Sequence, residues 1–424
     1  MKIAIIGGGV SGLVSAYLLA PHHDIMLYEK ADRIGGHAHT LNIKEGQHNI
    51  AVDNGFMVFN PAMYPNFVGL LKELGISSNE TTMSFGVHIP DEISYRGDIP
   101  YGLFADKSNL FRPRFWKFLL QIIKFRKVAK KVLSEKNDNN ETLGKFLKKH
   151  KFSPDLANWF LYPMLAAIWS IQETDRVEDF PAKSTFVFLN NHRLLDNSRL
   201  KWRTISGGSI EYVSCIQAVL KKHKAKIILN ANINSVKRGK NKVSVTNNGK
   251  VARYDYAIFA THADTTKQLL ADITTEESSA LGKFKYTTSR TILHKDTSFL
   301  PSNQKLLAAW NYTQNTKYAR KPVATFTYCM NILQHIPNDT PVFVSLNPLV
   351  PIDQNKIYAQ EIYTHPQYNN DSLVGQKQIS DIQGKNRTIY TGAHLGYGFH
   401  EDGIESAVAA AKILGITPSW QTKR

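Results

Sequence analysis

The hydrophobic pattern starts with Lys2 to Ile6, a short apolar, β-branched run that predicts a strand. Gly7-Gly8-Gly9-Val10-Ser11-Gly12 breaks it, and the apolar spacing of Leu13 to Ala20 predicts a helix. After Pro21-His22-His23-Asp24, Ile25 to Tyr28 predicts a second strand. Met63 to Leu74 has helical spacing ended by Gly75, and Ile227 to Val245 alternates as paired strands around Arg238-Gly239-Lys240-Asn241. Thr388 to Tyr390 predicts a strand, followed by a glycine-rich loop to Gly403 and a helix from Ile404 to Leu414. The β-branched and aromatic runs Thr288 to Leu293, Val323 to Tyr328 and Val342 to Leu346 predict a mixed sheet. One helical stretch is unlike the others. From Lys107 to Ser134 there are nine Lys or Arg and no acid, while Phe115, Phe118, Leu119, Ile122, Phe125 and Ala129 recur at helical spacing, a basic amphipathic helix over about 112–133.

The first sixty residues carry the candidate chemistry. Gly7, Gly9 and Gly12 fill the three places of G-x-G-x-x-G: a tight turn, close backbone approach to a pyrophosphate, and close packing of helix on strand. The phosphates would meet the free N–H groups at the helix N-terminus, beside Val10 and Ser11. Glu29, 22 residues past Gly7 at the end of the second strand, can accept hydrogen bonds from a ribose 2′-OH. NAD and FAD share this fingerprint. The next residues, Lys30-Ala31-Asp32-Arg33-Ile34-Gly35-Gly36-His37, add a basic residue and a second Gly-Gly pair.

This R-x-G-G element resembles that of the flavoprotein amine oxidase superfamily, including phytoene-desaturase-like enzymes, in which the glycines let the backbone approach FAD. Val52-Asp53-Asn54-Gly55-Phe56 resembles the family's D-x-G-F element, and Thr204 to Ser209 resembles its mid-chain Gly-Gly turn. Tyr254 to Thr261 is similar to a strand whose terminal Ala260-Thr261 passes near the cofactor, and the loop Thr391 to Gly403 to the segment that closes over the flavin. The branch it is most similar to is that of the flavoproteins associated with cyclopropane-fatty-acyl-phospholipid synthases. Met83-Ser84-Phe85, His294-Lys295-Asp296, Thr327 to Gln334, Ser345 to Pro348 and Gly396 to Gly403 carry that likeness. It implies an α/β fold: a Rossmann-type FAD-binding domain from 1–75, 201–275 and 376–424, interleaved with a mixed-sheet α+β substrate domain from 76–200 and 276–375. It also implies FAD contacts from Gly7, Gly9, Val10, Ser11, Gly12, Glu29, Lys30, Arg33, Gly35, Gly36, His37, Gly55, Phe56, Ala260, Thr261, Gly392, Ala393, Gly398 and Phe399. The implied activity is FAD-dependent oxidation of a small-molecule or lipid acyl substrate. True amine oxidation is an alternative, and so is an auxiliary FAD-binding role beside a cyclopropane-synthase-like methyltransferase. His37 stands where amine oxidases usually have Arg, and neither the flavin-site lysine nor the aromatic amine cage has a clear counterpart. No catalytic base is assigned.

Composition narrows the setting. At 424 residues, with 42% hydrophobic and 21% charged, the chain is ordinary globular material for two or three domains of about 150 residues. Cys215 and Cys329 cannot build a disulfide framework, and no run reaches the roughly 18 apolar residues of a spanning helix, so a cytoplasmic protein is expected. The histidines show no metal-ligand spacing, so no metal is expected. The net charge of +17 favours an anionic partner. No recognition motif points to nucleic acid. The basic helix serves two readings: an apolar stripe packed on the substrate domain beneath a solvated charged face, or a helix lying peripherally on an anionic membrane surface.

Overall fold

The computed structural model describes the chain except residues 99, 136–140, 170, 172–173, 197–199, 299, 302, 316–322 and 423–424. Its first layer is a parallel sheet of five strands in the order Thr388–Tyr390, Tyr256–Phe259, Lys2–Ile6, Asp24–Tyr28 and Lys226–Ile228. Alternation along the central strand explains the layers on either side. Ile3 and Ile5 pack with Leu13, Tyr212, Ile216, Ile404 and Val408 from the helices Val10–Leu19, Ile210–Lys222 and His400–Ile413. Ala4 and Ile6 face the other way, onto Val236, Val243 and Val245 of a three-stranded antiparallel sheet, Ile233–Arg238, Val243–Asn247 and Lys250–Tyr254. Both faces of the parallel sheet are therefore covered, which is why its strands read as continuous apolar runs.

The second large sheet has seven strands in the order Ile357–Pro366, Tyr286–His294, Phe343–Leu346, Val323–Cys329, Trp310–Asn315, Phe85–Ile89 and Ile93–Arg96. It is mixed: Trp310–Asn315 runs parallel to Phe85–Ile89, and the other neighbours are antiparallel. One of its faces, with Leu293, Phe326, Tyr328, Val344 and Leu346, shares a hydrophobic cluster with the helices Pro113–Ser134 and Ala182–Asn191.

Pro113–Ser134 is the basic helix, and its expected stripe is interior. Phe115, Phe118, Phe125 and Ala129 are buried, and Leu119 and Ile122 are half-buried against the same cluster. Among the described residues, no helix is long and apolar enough to cross a membrane.

Candidate functional site

The glycine loops converge at the carboxyl ends of the parallel strands, where open α/β sheets bind ligands. A Cβ on Gly12 would run into the Gly7 carbonyl and lie 3.2 Å from the Ala260 Cβ, so only glycine lets the helix begin this close to the strand. Gly9 is the opposite case. No atom lies within 4 Å of the place its Cβ would take, and it caps Val10–Leu19 without a side-chain hydrogen bond to the first helical N–H groups. Glu29 is fixed by two backbone donors, Gly8 N–H at 2.6 Å and Ala31 N–H at 2.8 Å. The second glycine pair docks on the first, with Gly35 N–H donating to the Gly8 carbonyl at 2.8 Å and Arg33 Nη1 donating to the Gly36 carbonyl at 2.9 Å. Ala260 N–H bonds the Ile6 carbonyl, Thr391 N–H bonds the Phe259 carbonyl, and Gly403 seats the last long helix against Val10 and Ser11. Lys30 is exposed at the edge of this group.

The motif residues further along are tied into the same place by buried polar bonds. The Asp53 carboxylate accepts from Thr40 Oγ1 (2.6 Å), Ser209 N–H (2.8 Å) and Ser209 Oγ (2.7 Å), pinning the Gly207-Gly208 turn to the strand before Gly55. Burial pushes Asp53 up to about 6 against those bonds. Phe56 lies flat on the His400 ring, 3.8 Å between centroids, and His400 Nε2 shares a 2.8 Å hydrogen bond with Tyr212 Oη. Glu401 accepts from Asn66 and Phe67 N–H, both at 2.9 Å or less, and so caps the helix Pro65–Leu74. Asp402 accepts from Phe399 N–H at 2.7 Å at the start of its own helix, and burial raises it to about 7. His400, Glu401 and Asp402 are thereby scaffold for the loop.

His37 meets residues that sequence patterning did not single out. Its ring lies 4.9 Å from Tyr363 and 5.0 Å from His365, both on the strand Ile357–Pro366. The signal was there as Tyr363-x-His365, two aromatic rings on one face of a strand. Burial, reinforced by His365 and His262, holds His37 well below the ordinary histidine range, and burial lowers His365 to about 4. His37 Nε2 and His365 Nδ1 are buried without a protein hydrogen-bond partner. Buried polar atoms of this kind call for a partner. With the open space at Gly9 and the free helix N-terminus, they fit a site that receives a polar ligand carrying phosphates. A second cluster is aromatic: Trp169 stacks on Tyr368 at 5.3 Å, Tyr397 lies 5.4 Å from Tyr368, and Phe399 stacks on Phe188 at 5.3 Å. Gly398 (φ +95°) makes the turn between Tyr397 and Phe399, and its N–H bonds the Ala393 carbonyl. No cluster of three or more His, Cys, Asp or Glu suited to a metal occurs among the described residues.

Comparison with known proteins agrees with this geometry. Residues 10–343 match the family described as flavin containing amine oxidoreductase. The chain is 38% identical over 98 residues to tryptophan 2-monooxygenase of Pseudomonas savastanoi, covering 23% of this chain and 17% of that one. It is 24% identical over 188 residues to protoporphyrinogen oxidase of Schizosaccharomyces pombe, covering 40% of this chain and 36% of that one. The chain thus spans well under half the length of these curated relatives. Among solved structures it is similar to cyclohexylamine oxidase from Brevibacterium oxydans IH-35A (TM-score 0.70, 13% identity, 98% of this chain and 99% of that one). It is also similar to a CLA-producing fatty acid isomerase from P. acnes (TM-score 0.60, 14% identity, 97% of each chain). At these identities the likeness is one of fold.

Proposed function

We propose, for a chain that belongs to the flavin-containing amine oxidoreductase family and takes FAD as its cofactor, that it is an FAD-dependent oxidoreductase acting on a lipid acyl chain. We place it in the branch associated with cyclopropane-fatty-acyl-phospholipid synthases, working peripherally at a membrane. In this reading Gly7, Gly9, Val10, Ser11 and Gly12 hold the pyrophosphate, and Glu29 holds the ribose. Arg33 fixes the Gly35-Gly36 backbone, and Gly392, Ala393, Gly398 and Phe399 close the site from the C-terminal side. Lys30, His37, Gly55, Phe56, Ala260 and Thr261 complete the cofactor surroundings. The FAD-binding part comprises 1–75, 201–275 and 376–424, and the substrate part 76–200 and 276–375. FAD, when bound, supplies the two-electron acceptor for a substrate C–H bond; the chain's residues bind, orient and exclude water.

The observation that carries the acyl reading is the continuity of one hydrophobic cluster. It runs from the buried face of Pro113–Ser134, across the inner face of the seven-stranded sheet, to Tyr397 and Phe399 beside the glycine-rich loop. The aromatic group Trp169, Tyr368 and Tyr397 favours a second reading, in which an amine is oxidised between rings. The test is anaerobic mixing of the yellow holoprotein with phospholipids bearing saturated or methylated chains, and separately with amines, following the oxidised-flavin band at roughly 450 nm. Bleaching by acyl lipid is expected. Bleaching by amines alone overturns the acyl reading in favour of amine oxidation. No bleaching by either, with lipid still bound, leaves an auxiliary FAD-binding role.

A further inference from the structure

Burial of the expected stripe on Pro113–Ser134 leaves a different apolar line facing outward. Trp116, Leu120 and Ile123, spaced i, i+4 and i+7, are 46%, 67% and 51% exposed, and Phe111 just ahead of the helix is 85% exposed. Six of the thirteen exposed large hydrophobic side chains among the described residues fall between Tyr101 and Ile123, so this is a patch rather than the usual scatter. Basic residues border it: Lys117 and Lys124 run alongside, and Lys127 and Lys131 continue past Ile123. Arg114 is neutralised by Asp155 and Glu92, and Lys130 by Asp196, whereas Lys117, Lys127 and Lys131 have no carboxylate partner among the described residues. Lys124 Nζ bonds the His150 carbonyl at 3.0 Å, within two residues of exposed Lys148 and Lys151.

We propose that this face docks on an anionic phospholipid bilayer, with Phe111, Trp116, Leu120 and Ile123 entering the acyl boundary and Lys117, Lys124, Lys127 and Lys131 at the level of the phosphates. Apolar side chains bordered by lysines that have no carboxylate partner among the described residues are complementary to that surface in both polarity and charge. The inference deepens the acyl-lipid reading and rests on it for its purpose, since the other face of the same helix belongs to the cluster that reaches Tyr397 and Phe399. One helix, about 10 Å across, then separates bilayer from cluster.

The holoprotein is floated with vesicles of phosphatidylcholine alone and of phosphatidylcholine with phosphatidylglycerol at about 7:3. Binding is expected only to the anionic vesicles and is expected to weaken as salt rises. Lys127→Gln with Lys131→Gln should lower the partition coefficient roughly 25-fold, about fivefold per lysine. Phe111→Ser with Leu120→Ser should lower it at least about tenfold. Retained flavin absorbance and unfolding midpoint show that these variants are folded. Absent or charge-independent vesicle binding overturns the proposal, as does binding unchanged in both variants. A concentration-dependent dimer abolished by Phe111→Ser with Leu120→Ser overturns it too, in favour of a second copy covering the face. Vesicle binding without bleaching by lipid would remove the acyl substrate and leave the docking face; bleaching without vesicle binding would do the reverse.

Discussion

Replacing Glu29 with Gln changes one atom at the end of the second strand and isolates its function. The carboxylate receives Gly8 N–H at 2.6 Å and Ala31 N–H at 2.8 Å, one on each oxygen. A carboxamide keeps one acceptor and turns its NH2 against the other donor, so one backbone bond is lost outright. Hydrogen bonds to a charged acceptor contribute about 1.5–3 kcal/mol and neutral ones about 0.5–1.5, so the bonds that remain, including any to ribose hydroxyls, weaken as well. The lost backbone bond falls on the folded apoprotein, while a ribose hydroxyl bonded to a neutral rather than a charged acceptor loses about 1–1.5 kcal/mol, roughly a tenfold weaker FAD dissociation constant. Apoprotein titrated with FAD, followed by quenching of flavin fluorescence, measures this directly, and thermal unfolding of the apoprotein separates scaffold from site. An FAD affinity within about threefold of wild type would refute the assignment.

The two glycines nearest Glu29 should part company. Gly9→Ala meets nothing and should cost the apoprotein less than about 1 kcal/mol while sharply weakening FAD binding. Gly12→Ala strikes the Gly7 carbonyl and should lower apoprotein stability itself; paired denaturation and FAD titrations test both. His400, held at about 3 by burial, is neutral in the native state and titrates near 6.5 when unfolded. The unfolded chain therefore binds the proton first, so this stability is complete above about 6.5 and is lost as pH falls towards 3, by about 2 kcal/mol at pH 5. His400→Phe removes that term, and urea unfolding of both proteins at pH 8 and pH 5 should show their difference changing by that amount; parallel curves would sink the idea. Arg238, buried between Asp272 (3.0 Å) and Glu277, ties the three-stranded sheet to neighbouring helices. Arg238→Met should cost about 3–5 kcal/mol in unfolding free energy because it strands Glu277, a buried carboxylate.

Local physics made the first half of the site legible. Strand, glycine turn, helix and acid lie within 29 residues, and each demand there is met by a neighbour in sequence, such as Gly12 against Gly7. The fold class followed because the runs Thr288 to Leu293 and Val323 to Tyr328 have the period of strands, and they are strands of one mixed sheet. What stayed hidden depends on partners hundreds of residues away. Glu401 caps a helix 334 residues earlier, and His39 bonds Tyr363 across 324 residues. The basic helix shows the limit of periodicity most plainly. Its pattern holds two apolar lines, Phe115 to Ala129 and Trp116 to Ile123, and the sequence does not say which one a sheet of Phe326, Tyr328 and Val344 will cover.

The histidines bear on which substrate class this interior suits. Burial is the largest cause of the lowered proton affinity at His37, His262, His365, His394 and His400, and it brings His394 and His400 down to about 3. His365 and His262 further oppose protonation of His37, and His262 that of His365. The ground between the glycine loops and the strand Ile357–Pro366 thus resists gaining positive charge. A protonated amine meets the same penalty as a protonated imidazole, because desolvation acts on the charge and not on the group that carries it. An amine must shed its proton before entering, at a cost that grows with its basicity, whereas an acyl chain brings no charge to remove. With the apolar cluster continuous from the basic helix to Tyr397, the desolvation that keeps these imidazoles neutral is an argument for the proposed acyl substrate over a charged amine.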